Sequence, residues 1–426
     1  MPSAPYSPRE AGDEPLEPLR LPSDRDHTGR TFGDPELSNL AAVLQSGHLN
    51  ATGGEWTPRF ERAFADRHGR THGIAVNSGS AAVHTALGAL GLNEGDEVIT
   101  TSITDMGAVL PIVLEGATPV FCDVDPNTGN VSSESILQAL TDRTRAVIVT
   151  HLFGQIADVR EAIATCRDRG VPLIEDAAQA FLATEDGDVA GSLGDLGCFS
   201  FQQGKHMTTG EGGVVVCDDD ELDKHCRRFV NKGFGYGEQR PDHDRPGWNA
   251  RWTELQAAVA LAQLDRLQDV VDRRRERAEQ FRQSLAGAPG LRFEAPRPGT
   301  EHSYWRVPLL IDRSVIPGGP DALAQELRPL GVGSAPRYIQ KPAFECEVFR
   351  RGAEFGALRG LGAEALGSPD RLPGTYAFLD QVLVLPWNEH LTEDQVDGLA
   401  DRLRHIAERL AHSSHDTAVE TSESPR

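Results

Sequence analysis

Between Gly73 and Asp218, short apolar runs alternate with segments whose apolar residues have helical spacing. The apolar runs, such as GIAVN, DEVIT, TPVFCDV and RAVIVTHLF, are rich in β-branched residues and do not alternate with polar ones. Strands that are apolar throughout are buried on both faces, as in a parallel sheet covered by helices. The pattern therefore predicts an α/β domain with a mostly parallel sheet.

The rest of the chain predicts further helices and a second unit. Pro35–His68, Glu221–Val230 and Thr253–Leu285 have helical patterns, the last as one long helix. A smaller α/β unit follows, with strands in SYWRVPLLI and QVLVLPW and helices in DALAQELRPLG and EDQVDGLADRLRHIAERL. We predict four parts: a disordered tail (1–27), a large domain (28–285), a small C-terminal domain (286–411) and a second disordered tail (412–426).

Composition limits which classes of binding partner and which cellular compartment we expect for this protein. The chain has 426 residues and a net charge of −22, which argues against nucleic acid or anionic membrane as a partner. Its six cysteines show no CxxC pair or metal-like spacing, so we expect reduced thiols and no metal site. The proline-rich, acidic start lacks a signal-peptide pattern, and no apolar run is long enough to cross a membrane. We expect a soluble cytoplasmic protein.

The segment Ser200–Gly213, SFQQGKHMTTGEGG, holds the residue with the most chemical meaning. It places Lys205 among small and polar residues, between an apolar strand and a glycine turn. Schiff-base chemistry requires such a fixed amine with room for a cofactor ring. An ordinary solvated lysine in a surface loop is the competing interpretation, so the partners of Lys205 decide between them.

Other segments supply those partners. A helix starts at Ser78-Gly79-Ser80 after a strand, a geometry that presents backbone N–H groups to an anion, although a plain helix cap is the more frequent explanation. The strand in VPLIEDAAQA ends at Asp176, which could pair with a protonated ring nitrogen or simply cap a helix. Taken together with Ser200 and Lys205, these residues indicate pyridoxal 5′-phosphate (PLP) as the cofactor.

The chain resembles the DegT/StrS-type family of PLP-dependent sugar aminotransferases, which has the aspartate-aminotransferase fold (fold type I). The resemblance covers roughly 30–400 and rests on the motifs SGSAA, GDEVIT, PVFCDVDP, HLFGQ, IEDAAQA, GSLGDLGCFSF, GKHMTTGEGG and NARWTELQAA. It implies transfer of an amino group from glutamine or glutamate to a keto-sugar or keto-cyclitol. It also implies a homodimer with shared active sites.

The resemblance also implies roles for individual residues. Lys205 matches the Schiff-base lysine and Asp176 the partner of the pyridine nitrogen. The remaining cofactor residues are a ring neighbour, two backbone phosphate donors, a side-chain phosphate donor and a residue that reaches the neighbouring subunit's phosphate: Gln179, Ser80, Ala81, Ser200 and Asn249. The implied substrate residues are His302, Arg337 and Tyr338. His206, next to the lysine, is expected to be structural because neighbouring side chains in extended chain point apart.

The sequence also departs from the family pattern. Asp105 stands where an aromatic residue usually stacks on the cofactor ring, so Met106 or another segment would have to cover it. NARW replaces the family's NYRM, with Ala250 in place of a tyrosine, while the QQGK run resembles the branch that acts on cyclitols such as scyllo-inosose in aminoglycoside pathways. Two alternatives remain: a sugar dehydratase, in which histidine tends to replace the lysine, and a non-catalytic binding protein that keeps the fold.

Overall fold

The structure is a computed structural model that describes residues 17–352 and 366–420, with side chains described as far as 412. The α-helices, numbered in chain order, are α1 Asp34–Ser46, α2 Trp56–Arg67, α3 Gly79–Leu90, α4 Leu110–Leu114, α5 Ser133–Ala139, α6 Arg160–Asp168, α7 Asp220–Val230, α8 Glu254–Asp265, α9 Leu267–Leu285, α10 Gly319–Leu327, α11 Glu347–Arg350, α12 Pro373–Gln381 and α13 Glu393–Glu420. The strands are β1 His72–Val76, β2 Glu97–Thr101, β3 Thr118–Cys122, β4 Thr144–Thr150, β5 Leu173–Asp176, β6 Thr184–Glu185, β7 Asp188–Val189, β8 Leu196–Ser200, β9 Gly213–Cys217, β10 Leu291–Arg292, β11 Thr300–Glu301, β12 Arg306–Ile311, β13 Ala335–Pro336 and β14 Val382–Pro386.

The central sheet has seven strands in the order β1-β9-β8-β5-β4-β2-β3. The pairs from β8 to β3 are parallel, and β9 runs antiparallel to both β1 and β8. The mostly parallel α/β fold predicted from the apolar runs is confirmed. The carboxyl ends of β5 and β4 meet at one edge, where open α/β sheets bind ligands.

The small unit is built on a second sheet of four antiparallel strands, β10-β12-β14-β13. Its apolar core includes Leu309, Leu385 and Trp387 and is covered by α9, α10 and α13. A separate aromatic cluster around Phe64, Phe199 and Trp252 joins α2 and α8 to the central sheet. The strands SYWRVPLLI and QVLVLPW thus lie side by side, as β12 and β14.

Two predicted helices differ from the structure. Thr253–Leu285 is divided into α8 and α9 at Arg266, whose ψ of 2° ends the first helix and whose guanidinium pairs with Glu36. The helix predicted in TDMGAVLPIVLEG is a 3₁₀ turn, Met106–Ala108, followed by the short α4. Pro111 stands in the first turn of α4, where it cannot donate a hydrogen bond.

The described part of the predicted N-terminal tail is held against the small unit. The Leu19 N–H donates to the carbonyl of Leu330 (2.8 Å), and Leu19 and Leu21 pack on the small unit's core. Residues 1–16 of that tail lie outside the described residues. At the other end, the backbone of α13 continues to Glu420, beyond the predicted boundary at 411, and 421–426 lie outside the described residues. Within the described residues, no helix is both long and apolar enough to cross a bilayer.

Candidate active site

Lys205 lies in the loop between β8 and β9, and its amine rests against an aromatic ring. The side chain is half-buried, and its Nζ is 4.3 Å from the centroid of the Trp305 ring. Burial lowers the pKa of Lys205 to about 8, although the carboxylates of Asp176 and Asp105 oppose the shift. A larger fraction of this amine is therefore neutral near pH 8 than of an exposed lysine, which suits it to act as a nucleophile and base.

Asp176 ends β5 and is 8 % exposed. Burial raises the pKa of Asp176, while the nearby Lys205 lowers it. Its Oδ1 accepts a hydrogen bond from the Ala178 N–H (3.2 Å). A buried carboxylate of this kind is most stable opposite a cationic group, and a protonated pyridine nitrogen provides one.

A buried hydrogen-bond network around Glu175 fixes the backbone behind Asp176. Glu175 accepts hydrogen bonds from His151 Nε2 (2.8 Å) and from the N–H groups of Gly191, Leu193 and Gly194 (2.7–2.8 Å). These donors hold the pKa of Glu175 below its usual value against the effect of burial. His151 Nδ1 accepts from the Ala157 N–H (3.1 Å), so its proton is on Nε2. The end of β5 is therefore held rigidly.

Gln179 and Tyr338 form one wall of the site. Gln179 Nε2 donates to the Tyr338 hydroxyl (3.2 Å), and its Oε1 accepts from the Phe153 N–H (2.9 Å). The rings of Phe153 and Tyr338 meet edge to face at 4.8 Å. Both residues have positive φ, 60° and 49°, a strained conformation that tends to occur at functional sites. The predicted residues Gln179 and Tyr338 are thus in contact, although they are far apart in the sequence.

The predicted phosphate site lies where α3 begins. Ser78 caps α3 by accepting from the Ala81 N–H (3.1 Å), and the helix geometry leaves the N–H groups of Gly79 and Ser80 without intrahelical acceptors. Ser200, at the end of β8, packs against Gly79 so closely that a Cβ on Gly79 would lie 2.6 Å from the Ser200 Cβ. A serine hydroxyl and a helix N-terminus therefore meet, which suits a phosphate.

Three other predicted residues, His302, Arg337 and Asn249, make the contacts described next with groups other than Lys205. Arg337 pairs with Asp380 (3.5 Å), and His302 packs beside Tyr304, with rings 5.3 Å apart. Burial lowers the pKa of His302 to about 3. Asn249 is exposed, bridges to Asn231 and accepts from the Arg251 N–H (3.4 Å). In this single chain these three residues do not complete the site.

Two further expectations from the sequence concern His206 and Met106. His206 turns into the core, where its Nε2 contacts the Ser303 carbonyl (2.9 Å), in agreement with the structural role expected for it. Met106 packs against the Phe121–Phe344 cluster, and Asp105 caps the adjacent turn by accepting from the Gly107 N–H (2.8 Å).

Sequence reasoning missed the residues on the opposite side of the lysine loop. Trp305 and Arg306 were assigned only to a strand, and Asp24 was assigned to a disordered tail. Trp305 Nε1 donates to the Gly204 carbonyl (2.8 Å), and Arg306 pairs with Asp24 (2.7 Å). A cleft of about 670 Å³ opens beside them, lined by 21–25, Gln202, Trp305, Arg306, Tyr338 and Asn388. The tryptophan in SYWRVPLLI is the sequence feature that could have indicated this side of the lysine loop.

Residues 31–404 match the model of the DegT/DnrJ/EryC1/StrS aminotransferase family. The chain belongs to this family. It is therefore an enzyme of the aminotransferase class, and the non-catalytic alternative is set aside. Members of the family are PLP-dependent, and the residues described above fit that cofactor: a buried carboxylate, a lysine of lowered pKa and a serine at a helix start.

Relatives support the same assignment. A GDP-perosamine synthase of Vibrio cholerae is 36 % identical over 278 residues, 65 % of this chain and 75 % of that protein. The aminotransferase TlmJ from Streptoalloteichus hindustanus is 32 % identical, with a TM-score of 0.79 over 90 % of this chain and 98 % of its own. The S. venezuelae protein DesV, solved in complex with a ketimine intermediate, is 30 % identical, with a TM-score of 0.78 over 88 % of this chain and 94 % of its own.

Proposed function

We propose that this enzyme binds PLP at Lys205 and transfers an amino group from an amino acid, glutamine or glutamate, to the ketone of a keto-sugar or keto-cyclitol. The observation that carries the proposal is that Lys205, whose pKa falls to about 8, lies close enough to the buried carboxylate of Asp176, at the carboxyl end of a parallel strand, for their charges to interact. Relatives described as GDP-perosamine synthase and sugar aminotransferase support an amino-sugar product.

The proposed residues have separate tasks. PLP, when bound, supplies an electron sink for the carbanion formed at the donor's α-carbon. Asp176 holds the cationic ring nitrogen in place with its buried negative charge. Gln179 orients the ring's edge together with Tyr338, while Ser200 and the first two N–H groups of α3, at Gly79 and Ser80, bind the phosphate. The predicted donor Ala81 is not available, because its N–H is already bonded to Ser78.

Lys205 then acts as the base. When it is not bound to the cofactor, its Nζ would take a proton from the donor's α-carbon and release it again within the same site. The amine is suited to this because burial has already lowered its pKa toward the pH of the reaction. With the acceptor bound, the same amine would return a proton to the carbon that carried the ketone, and the ketone oxygen would leave as water.

We also propose a homodimer with shared active sites in the cytoplasm. Asn249 is exposed although it lies next to Ala250, whose carbonyl accepts from the Asn77 N–H (2.9 Å) at the start of the α3 turn. An exposed amide beside a phosphate site is well placed to reach the site of a second subunit.

The Lys205→Ala variant tests the proposal. We expect the wild type to show Schiff-base absorbance near the edge of the visible range after PLP is added. The variant should lack this absorbance and lose transamination at least about a thousandfold, because both nucleophile and base are removed. Lys224→Ala, at an exposed position, is the matched control. Retained transamination by the Lys205→Ala variant would show that the assignment is wrong.

The acceptor can be identified by half-reactions. The aminated enzyme, prepared with glutamine, is mixed in turn with a nucleotide keto-sugar and with scyllo-inosose. Return of the Schiff-base absorbance identifies the ketone that is accepted. A response to scyllo-inosose alone would support the cyclitol branch, and a response to the nucleotide sugar alone would exclude it.

A further inference from the structure

A segment near the N-terminus connects the small unit to the loop that carries Lys205. Gln395 Nε2 donates to the Arg20 carbonyl (2.7 Å), and the Leu19 N–H donates to the Leu330 carbonyl (2.8 Å). Ten residues further on, Arg30 donates to the carbonyl of Gln203, two residues before Lys205. The segment is therefore bound at both ends.

Asp24 is the centre of this segment's contacts. Its carboxylate accepts from Arg306 Nη2 (2.7 Å) and from Asn388 Nδ2 (2.8 Å), and it lies 3.6 Å from Arg30. Its backbone carbonyl accepts from Gln203 Nε2 (2.8 Å). Burial opposes ionisation, but the arginines around it, Arg306 first, hold the pKa of Asp24 below its usual value. Asp24 is therefore a charged, partly buried counter-ion.

The contacts continue from Asp24 to the reactive amine. The Arg306 guanidinium carbon lies 4.9 Å from the centroid of the Trp305 ring, and the same ring lies 4.3 Å from Lys205 Nζ. The Trp305 indole is fixed at its other end by the hydrogen bond to Gly204. The Lys205 amine and the Arg306 guanidinium thus both lie against the Trp305 ring. Asp24 neutralises the charge of Arg306.

We propose that Asp24 is a positioning residue for the Lys205 amine and acts on it through Arg306 and Trp305. The inference rests on the proposed role of Lys205, but it concerns a residue outside the cofactor site. Asp24 keeps Arg306 in place on Trp305 and cancels its charge. The indole, held in this way, keeps the amine on the side of Asp176.

The charges around Lys205 predict how the amine responds. Burial and Arg306 lower the pKa of Lys205, whereas Asp176 and Asp105 raise it. Removing the charge of Asp24 leaves Arg306 uncompensated, so the Lys205 pKa should fall further. Removing the charge of Arg306 should raise it. The two substitutions on one ion pair are therefore expected to have opposite effects.

Competitive acetylation of the cofactor-free protein measures this pKa directly. The chain has only four lysines, so mass spectrometry can follow Lys205 with Lys224, Lys232 and Lys341 as internal references. We expect an apparent pKa that is lower in Asp24→Asn by about half a unit or more, and higher in Arg306→Gln by a similar amount. Asp24→Glu should restore the wild-type value in part.

Asp26→Asn is the matched control, because Asp26 is exposed and its carboxylate contacts Thr28 (2.6 and 2.8 Å). It should leave the Lys205 pKa unchanged.

Two outcomes would overturn the proposal: shifts of the Lys205 pKa with the same sign in Asp24→Asn and Arg306→Gln, or no shift in either. A general loosening of the structure around Lys205 would shift the pKa in the same direction in both variants. If Asp24→Asn does not fold, two other variants test the proposal. The Lys205 pKa must rise in Arg306→Gln, and in the Asp24→Asn/Arg306→Gln double variant it must be closer to the wild-type value. The Schiff-base test of Lys205→Ala is independent of this result.

Discussion

The reactivity of Lys205 depends on residues that are not near it in the sequence. The hydrogen bond from Trp305 to Gly204 joins positions 101 residues apart, and the pair of Asp24 with Arg306 joins positions 282 apart. Burial lowers the pKa of the amine to about 8; Arg306 adds to this effect, and Asp176 and Asp105 oppose it. The motif around Lys205 could predict a Schiff-base lysine, but not the surroundings that set its pKa.

His302 shows the same dependence on surroundings. The resemblance suggested a substrate contact, but its ring is packed beside Tyr304 with an unpartnered Nε2, and burial lowers its pKa to about 3. The ring is therefore neutral at pH 7. In this chain its clearest effect is on stability.

That effect can be measured in acid. The folded-state pKa of His302, about 3, is below the ordinary histidine value of 6.5, so the unfolded chain binds a proton that the folded chain does not between pH 6.5 and 3. Stability is therefore lost as the pH falls through this window, by about 2 kcal/mol from this residue at pH 5. We expect His302→Asn to lose less stability than the wild type between pH 7 and pH 5 in urea unfolding. His27→Asn, at an exposed position, should behave like the wild type; equal losses in all three proteins would contradict the assignment.

At the scale of elements, the ends of β4 and β5 and the 191–194 turn behave as one unit. Glu175 joins them by accepting from His151 and from three backbone N–H groups. The sequence predicted both strands and placed Asp176 at a strand end. It gave no sign that the preceding Glu175 faces the opposite side and fixes the loop before β8.

Glu175→Gln should destabilise this unit. The NH₂ group of the new amide is a hydrogen-bond donor, and it would face two other donors, the Gly191 N–H and the His151 Nε2–H. His151 cannot move its proton to Nδ1 without losing the hydrogen bond that Nδ1 accepts from Ala157. We expect the free energy of unfolding to fall by about 3 kcal/mol, measured in urea. Glu161→Gln, on the exposed face of α6, is the control and should change it by less than about 0.5 kcal/mol. A change in Glu175→Gln as small as the control's would show that the pair contributes little.

At the scale of the whole molecule, the position of Asn249 bears on assembly. Its side chain is exposed in the single chain, whereas Asp176 is buried and close enough to Lys205 to raise the pKa of its amine. A residue of this kind can complete a site only if a second subunit approaches it. The proposed shared site therefore has a direct test.

Mixed dimers provide that test. A Lys205→Ala subunit and an Asn249→Ala subunit together form one site with both native residues, if Asn249 acts on the partner's site. Statistical mixing after refolding should then give about a quarter of wild-type activity, above the mean of the two variants alone. Mixing wild type with Lys205→Ala is the control for dilution. Activity that never exceeds the mean of the separate variants would mean that Asn249 acts within its own subunit.

The apolar pattern and the local motifs of the chain predicted its fold and the residues proposed to carry its chemistry. Continuous apolar runs between amphipathic segments predicted a parallel sheet because only a sheet covered on both faces buries such strands. Local motifs identified Lys205, Asp176 and Ser200, since each depends on a strand end and the few residues beside it. Helix boundaries at Arg266 and Pro111 were less well predicted because tertiary contacts and single backbone angles decided them.

The folded structure sets which groups surround the amine of Lys205. It brought Trp305 and Arg306 from the small unit, and Asp24 from a segment assigned to a tail, to the loop of Lys205. It also turned Arg337 toward Asp380 and buried His302. The physical reason is that charge and burial act through space: a pKa depends on every group packed around it, and sequence motifs report only the nearest neighbours along the chain.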